Sequence, residues 1–185
     1  MLALPAPEHL LTRLVVTRLA RTPPQALPRG RLQAGSLTLT CAIGAAGFRH
    51  RKLEGDGATP VGRFACLFGF YDARAIKRPR SLLKLRPVRA DEGWCDDPRA
   101  AAYNRRIGLP SRYSHETLRR DDRLYDLVIV LDYNFRRRSK NRGSAIFLHC
   151  ARPDFAPTAG CIALAPADWR RLLPRLSRRV TVITR

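Results

Sequence analysis

Two residues in the C-terminal third of the chain are of the types that perform acyl transfer. His149 ends "SAIFLH" and Cys161 lies in "PTAGCIALAP", with eleven residues between them. A thiol is only slightly ionised at neutral pH, and an imidazole able to take its proton makes it a strong nucleophile. Gly160 directly precedes the cysteine. A glycine there lets the backbone bend so that amide N–H groups near 160 and 161 face a developing oxyanion, an effect of about a few kcal/mol per donor. The intervening "CARPDFAPTAG" is rich enough in proline and glycine to return the chain and bring thiol to imidazole.

The same residues have plainer readings. Free cysteines are among the most buried residue types, and a strand-end histidine is often no more than a hydrogen-bonded structural residue. His149, Cys150 and Cys161 also offer part of a metal site, although no second close pair accompanies them. Pattern alone leaves these readings open beside the Cys-His dyad.

The elements that would position the pair can be read from period-two alternation. In "SAIFLH", Ile146 and Leu148 share one face while Phe147 and His149 share the other, so His149 is expected to end a strand at the sheet edge with Cys150 facing away from it. Leu37, Leu39, Cys41 and Ile43 share a face of "LTLTCAI", and Phe64, Cys66, Phe68 and Phe70 share a face of "FACLFGF", which assigns Cys41 and Cys66 to the core. Between these two segments "EGDGATPVG" reads as an ordered loop. Residues 72–123 are less periodic and are expected to form a loop-rich insertion or flap with one short helix near 114–121. Cys95, in "GWCDDP", has carboxylate neighbours that should raise its pKa. Further strands are expected at 124–132, with a buried "LVIVL" at 127–131, and at 144–149 and 178–184. An amphipathic helix should start at Pro166, burying Trp169, Leu172, Leu173 and Leu176, and Pro174 should end or kink it. The fold class is mainly β with one or two short helices.

Composition sets the outer bounds. A chain of 185 residues that is 45% hydrophobic fits one compact domain, residues 1–185. The formal charge of +20 predicts attraction to a polyanion: nucleic acid, an acidic membrane surface or an anionic wall polymer. Nearly all of that charge is arginine, and the densest run, "FRRRSKNR" at 135–142, reads as a solvated loop without an RNA-binding, zinc-finger or helix-turn-helix pattern beside it. The five cysteines contain no CxxC pair and are odd in number, so a disulfide framework is not expected. The segment "MLALPAPEHLLTRLVVTRLA" carries Glu8, His9, Arg13 and Arg18 where a signal peptide needs an unbroken apolar stretch, so no export signal is expected in the chain as written.

"GSAIFLH" followed by "PTAGCIAL" resembles the signature of the L,D-transpeptidase (YkuD-type) family, in which a strand-end histidine precedes a Ser/Thr-x-Gly-Cys segment. "EGDGATPVGRF" is similar to that family's Thr-Pro-x-Gly-x-Phe element, here Thr59, Pro60, Gly62 and Phe64. "GWCDDP", "YNR" and "LYDLVIVLDYN" look like a proteobacterial branch, and the likeness runs from about residue 35 to the C-terminus. The resemblance implies a β-sandwich-like catalytic fold acting on peptidoglycan stem peptides without metal or organic cofactor. It implies Cys161 as nucleophile, His149 as general base, Gly160 with the Cys161 amide as oxyanion segment, and Thr158 and Arg152 as substrate contacts. Ala159 and Ala163 stand where many members have a histidine and an arginine or asparagine. A monomer in the periplasm or cell envelope is implied, with electrostatic contact between its basic surface and the anionic envelope; without a signal in this chain, a cytoplasmic location or a truncated start is the other reading. The rival functions are an L,D-carboxypeptidase of the same fold, with water as acceptor, and a non-enzymatic basic protein that binds nucleic acid or the envelope.

Overall fold

The computed structural model describes residues 10–20 and 27–185. Its strands are β1 (Leu11–Arg18), β2 (Arg29–Ala34), β3 (Leu37–Ala42), β4 (Phe48–Arg49), β5 (Thr59–Pro60), β6 (Gly62–Tyr71), β7 (Leu85–Pro87) and β8 (Glu92–Cys95). There follow β9 (Arg105–Gly108), β10 (His115–Thr117), β11 (Leu127–Leu131), β12 (Phe147–Cys150), β13 (Ile162–Leu164) and β14 (Leu176–Thr184). The helix α1 (Pro166–Leu172) starts on a proline and passes into a 3-10 turn, Leu173–Arg175, at the expected Pro174. The protein is mainly β, as its alternation required.

The large sheet runs β11-β12-β13-β3-β2-β1-β14-β6-β7, and β6 also pairs with β11. That second pairing closes the strands from β11 to β6 into a ring, which leaves no edge along most of its circumference. Each strand of the ring sends alternate residues inward to one core: Leu14, Leu32, Leu39, Cys41, Phe64, Ile129, Leu148, Ile162 and Val182 among them, with Trp169 and Leu172 of α1. A second apolar cluster lies on the other face of the sheet and includes Phe70, Trp94, Tyr125, Val128, Phe147 and Cys161. Over it sits a small sheet in the order β10-β8-β9.

Three expectations are corrected. Phe68 and Phe70 do not share a face with Phe64 and Cys66: the β6–β11 register shifts between Val130, opposite Phe68, and Leu131, opposite Cys66. The extra residue of that bulge turns Phe68 and Phe70 to the outer cluster. Residues 114–121 are not helical; His115–Thr117 pairs antiparallel with Gly93–Cys95, so tertiary pairing overrides a local pattern. The segment 72–123 is loop-rich, as expected, and carries the small sheet on its short strands. Nor is His149 at a sheet edge, because β12 lies between β11 and β13.

The basic, apolar segment near the N-terminus also acquires a role. Of the residues read there, 1–9 lie outside the described residues, Glu8 and His9 with them, whereas Leu11–Arg18 forms β1, parallel to β14 and antiparallel to β2. Leu14 and Val16 are fully buried. Burial of two such side chains contributes about 3–6 kcal/mol, comparable to the whole stability of a small domain, so this strand belongs to the folded unit.

Candidate active site

The parallel pairing of β12 with β13 sets Leu148 opposite Ile162 and His149 opposite Ala163. Cys161 therefore lies just before β13, level with Phe147, and the Phe147 amide donates to its Sγ at 3.3 Å. Cys161 and His149 both line one cavity of 340 Å³. Among the described residues no hydrogen bond joins thiol to imidazole; the thiol donates to the Ala145 carbonyl at 3.1 Å. The acceptor is itself held in place. Ala145 has φ of 51°, and its amide donates to Asn104 Oδ1, which also accepts the Trp94 indole N–H at 3.0 Å. Trp94 then packs edge-on against Phe147, with ring centroids 5.2 Å apart. The small sheet thus reaches the thiol through "GWC" and "YNR".

The turn at 158–161 is held from within and from behind. Thr158 Oγ1 donates to the Cys161 carbonyl at 2.6 Å and accepts the Gly160 amide at 3.1 Å. Thr158 also exchanges backbone bonds with Ile43 and Ala45, while the Gly44 amide between them donates to the buried Thr59 hydroxyl at 2.8 Å. Thr59 is thereby the anchor on which the cysteine turn rests. Gly160 has φ of 139°, and a Cβ there would lie 2.6 Å from the Ala58 carbonyl oxygen, so only glycine fits. Its amide, expected at the oxyanion, is occupied by Thr158; the Cys161 amide has no acceptor among the described residues and is the donor left free. Thr158 lines the cavity, with its hydroxyl engaged inside the turn.

His149 is buried, and its Nδ1 lies 2.8 Å from the Cys150 carbonyl. A carbonyl only accepts, so Nδ1 carries the proton and Nε2 holds the lone pair. Burial pushes the imidazole pKa down to about 4, against the opposing effect of carbonyls at Cys150 and Leu124. Burial likewise pushes Cys161 up to about 12, with the Phe147 amide opposing it. The resting pair is a neutral thiol and a neutral imidazole. All five thiols are raised by burial: Cys41 and Cys66 to about 12, Cys150 to about 11, and Cys95 upward, where Asp96 and Asp97 add to burial as anticipated. Geometry, then, separates them: Cys161 is the one that shares a cavity with His149. Cys150 belongs to the inner core, on the opposite face of β12, so His149, Cys150 and Cys161 do not converge on a point.

Charged groups crowd the cavity rim. Tyr125 packs edge-on against His149 at 5.3 Å, Arg120 stacks over Tyr125 at 5.0 Å, and Arg120 pairs with both Glu116 and Asp122. Arg152 lines the same cavity, its guanidinium 3.8 Å from Asp122. Lys52, Glu54 and Asp96 complete the wall and were not singled out from sequence. His115 faces elsewhere, its Nδ1 against the Tyr113 carbonyl.

The family model for the L,D-transpeptidase catalytic domain, YkuD, matches residues 25–184. The chain belongs to this family. Curated proteins yield no match. L,D-transpeptidases of the YkuD family are cysteine-dependent, act on peptidoglycan peptides and are generally periplasmic or envelope-associated. The match begins after β1, so in this L,D-transpeptidase domain the strand that completes the ring between β2 and β14 precedes the matched segment.

Proposed function

We propose that this domain is a peptidoglycan L,D-transpeptidase in which Cys161 carries the acyl group and His149 carries the proton. The observation that carries the reading is that the Cys161 thiol and the His149 ring line one cavity, with the ring held at Nδ1 by the Cys150 carbonyl. Sγ attacks the carbonyl of the L-centre residue of a stem tetrapeptide, diaminopimelate in the common stem. The S–C bond forms, the thiol proton passes to Nε2, and the Cys161 amide faces the oxyanion. The C–N bond to the terminal D-alanine then breaks, and Nε2 returns the proton to the leaving amine. A second amine attacks the thioester, Nε2 takes its proton, and that proton goes back to sulfur as the cross-link is released.

Because both partners are neutral at rest, proton transfer belongs to the attack itself. Arg152, about half exposed at the cavity, suits a substrate carboxylate, and Asp96, whose Oδ1 has no partner among the described residues, suits a free amine. The free Asp96 carboxylate oxygen is what favours an amine over water as acceptor in this reading. The net charge of +20 suits work against an anionic envelope.

Intact-mass analysis tests the reading. Incubation with a tetrapeptide stem or a carbapenem is expected to add one acyl mass, on the peptide containing residue 161, and Cys161→Ser is expected to abolish it. Labelling that persists in Cys161→Ser, or that resides on Cys95 or Cys150, would overturn the mechanism. Supplying an amine acceptor should then yield cross-linked peptide in excess of hydrolysed peptide.

A further inference from the structure

Lys52 is an unusual lysine. Its side chain is only 2% exposed, and its Nζ bonds Asp56 Oδ1 at 2.7 Å and the Leu53 carbonyl at 3.3 Å. Burying an ammonium is costly even when it is paired, by several kcal/mol, so its placement calls for a reason. Closing the 52–58 loop is not that reason, because Asp56 already accepts the Leu53 and Ala58 amides at 2.9 Å each. The ammonium is an addition to a turn that the backbone has made.

Two glycines make room for it. A Cβ on Gly143 would lie 2.9 Å from Lys52 Cε, and a Cβ on Gly160 would lie 3.3 Å from Lys52 Nζ. The lysine is thus threaded past Gly143 to end against the residue that precedes the nucleophile. Two of its three N–H groups are used, and the third has no acceptor among the described residues.

We propose that Lys52 is the cation that stabilises the Cys161 thiolate as it forms, with Asp56 holding it in place. The inference rests on the reading of Cys161 as nucleophile. The other charged or titratable groups at the cavity do not supply this. Glu116, from β10, and Glu54 and Asp96 are acidic; Tyr125 and His149 are neutral; Arg120 is spent on Glu116 and Asp122, and Arg152 is about half exposed and turned to Asp122. Of these surroundings, Glu116 pushes the thiol pKa up and Lys52 draws it down. When sulfur gives its proton to His149, the imidazolium and Lys52 flank the new negative charge, and Lys52 itself neither gains nor loses a proton.

The test is the pH dependence of iodoacetamide alkylation at Cys161, read on its own peptide by mass spectrometry, with folding followed by circular dichroism. Lys52→Gln is expected to raise the midpoint by about one pH unit, which slows alkylation about tenfold at a fixed pH below it. Asp56→Asn removes a negative charge while keeping the lysine, and is expected to move the midpoint the other way. Lys52→Arg should stay near wild type. A purely structural ion pair would move the first two variants in the same direction, and that result, or an unmoved midpoint in folded Lys52→Gln, overturns the proposal. Should Lys52→Gln fail to fold, Asp56→Asn decides by itself: a fall supports the proposal, and a rise or no change overturns it. Acylation of wild-type Cys161 is measured separately, so failure of this inference is distinguishable from failure of the transpeptidase reading.

Discussion

The two faces of β12 are equally buried and do opposite things. On the inner face, Leu148 and Cys150, with Ile146 just before the strand, join a core of aliphatic and aromatic side chains, and the Cys150 thiol there has only packing to do. On the outer face, Phe147 and His149 look toward Cys161, Tyr125 and a ring of paired charges. Burial on the inner face follows from apolar transfer. Burial on the outer face is costly, since it holds an imidazole near a pKa of 4 and a thiol near 12. Under the proposed mechanism these neutral groups are the ones that proton transfer uses. The comparison can be broken by changing one face and asking whether chemistry or stability responds.

The largest response should come from His149. His149→Gln is expected to slow acylation of Cys161 by about 10²–10⁴-fold, the usual scale for loss of a positioned base, with the fold intact. The same residue should mark stability. Its folded pKa, about 4, lies below the ordinary 6.5, so the folded state resists protonation. Stability is then fully present above pH 6.5 and is lost as pH falls toward 4, by up to about 3 kcal/mol. Carboxylates held low by partners, such as Asp56 and Asp122, lose their contribution only below the ordinary carboxylate range, in a more acid window. Urea melts at pH 7 and pH 4.5 should therefore show a larger loss in wild type than in His149→Gln. Equal losses would show that the imidazole is not buried as described.

Gly160 connects the two kinds of effect. Gly160→Ala forces a side chain into a left-handed backbone and against the Ala58 carbonyl, and is expected to cost about 2–3 kcal/mol while displacing the thiol from Ala145. Gly108→Ala is the control, because a Cβ there meets nothing within 4 Å. A thermal melt and the Cys161 acylation rate should fall together in the first variant and in neither measure in the second.

What could be read in the sequence divides along the same line. The two faces of β12 were legible because alternation is local, and so was the α1 start at Pro166. The β6 faces were not, because the bulge opposite Leu131 exists only once β11 pairs with Cys66 and Phe68. β10 was read as helix because nothing near His115 announces Gly93–Cys95 as its partner. Lys52 escaped notice for a similar reason: its burial depends on Gly143 and Gly160, each far along the chain, and a lysine in a polar loop normally lies in water. Thr59 was visible as part of a motif, while its task of holding Gly44 and, through it, the cysteine turn required the folded contacts.

The smallest effect belongs to the inner face. Cys41 is fully buried and Cys66 nearly so, both in the inner core. Burial pushes each thiol to about 12, so neither is ionised near neutral pH. Replacing either by alanine removes one sulfur from a packed site, and the cost is on the order of 1 kcal/mol because little space is opened. Cys41 packs closely on Gly30, where its Sγ is 2.8 Å from where a Cβ would stand, so partial collapse of that site is blocked and Cys41→Ala should be the costlier of the two. Denaturant midpoints should fall slightly in both variants, with acylation of Cys161 at the wild-type rate. A folded Cys41→Ala or Cys66→Ala protein that no longer acylates would mean that the inner face takes part in the chemistry, and the separation of the two faces would then be lost.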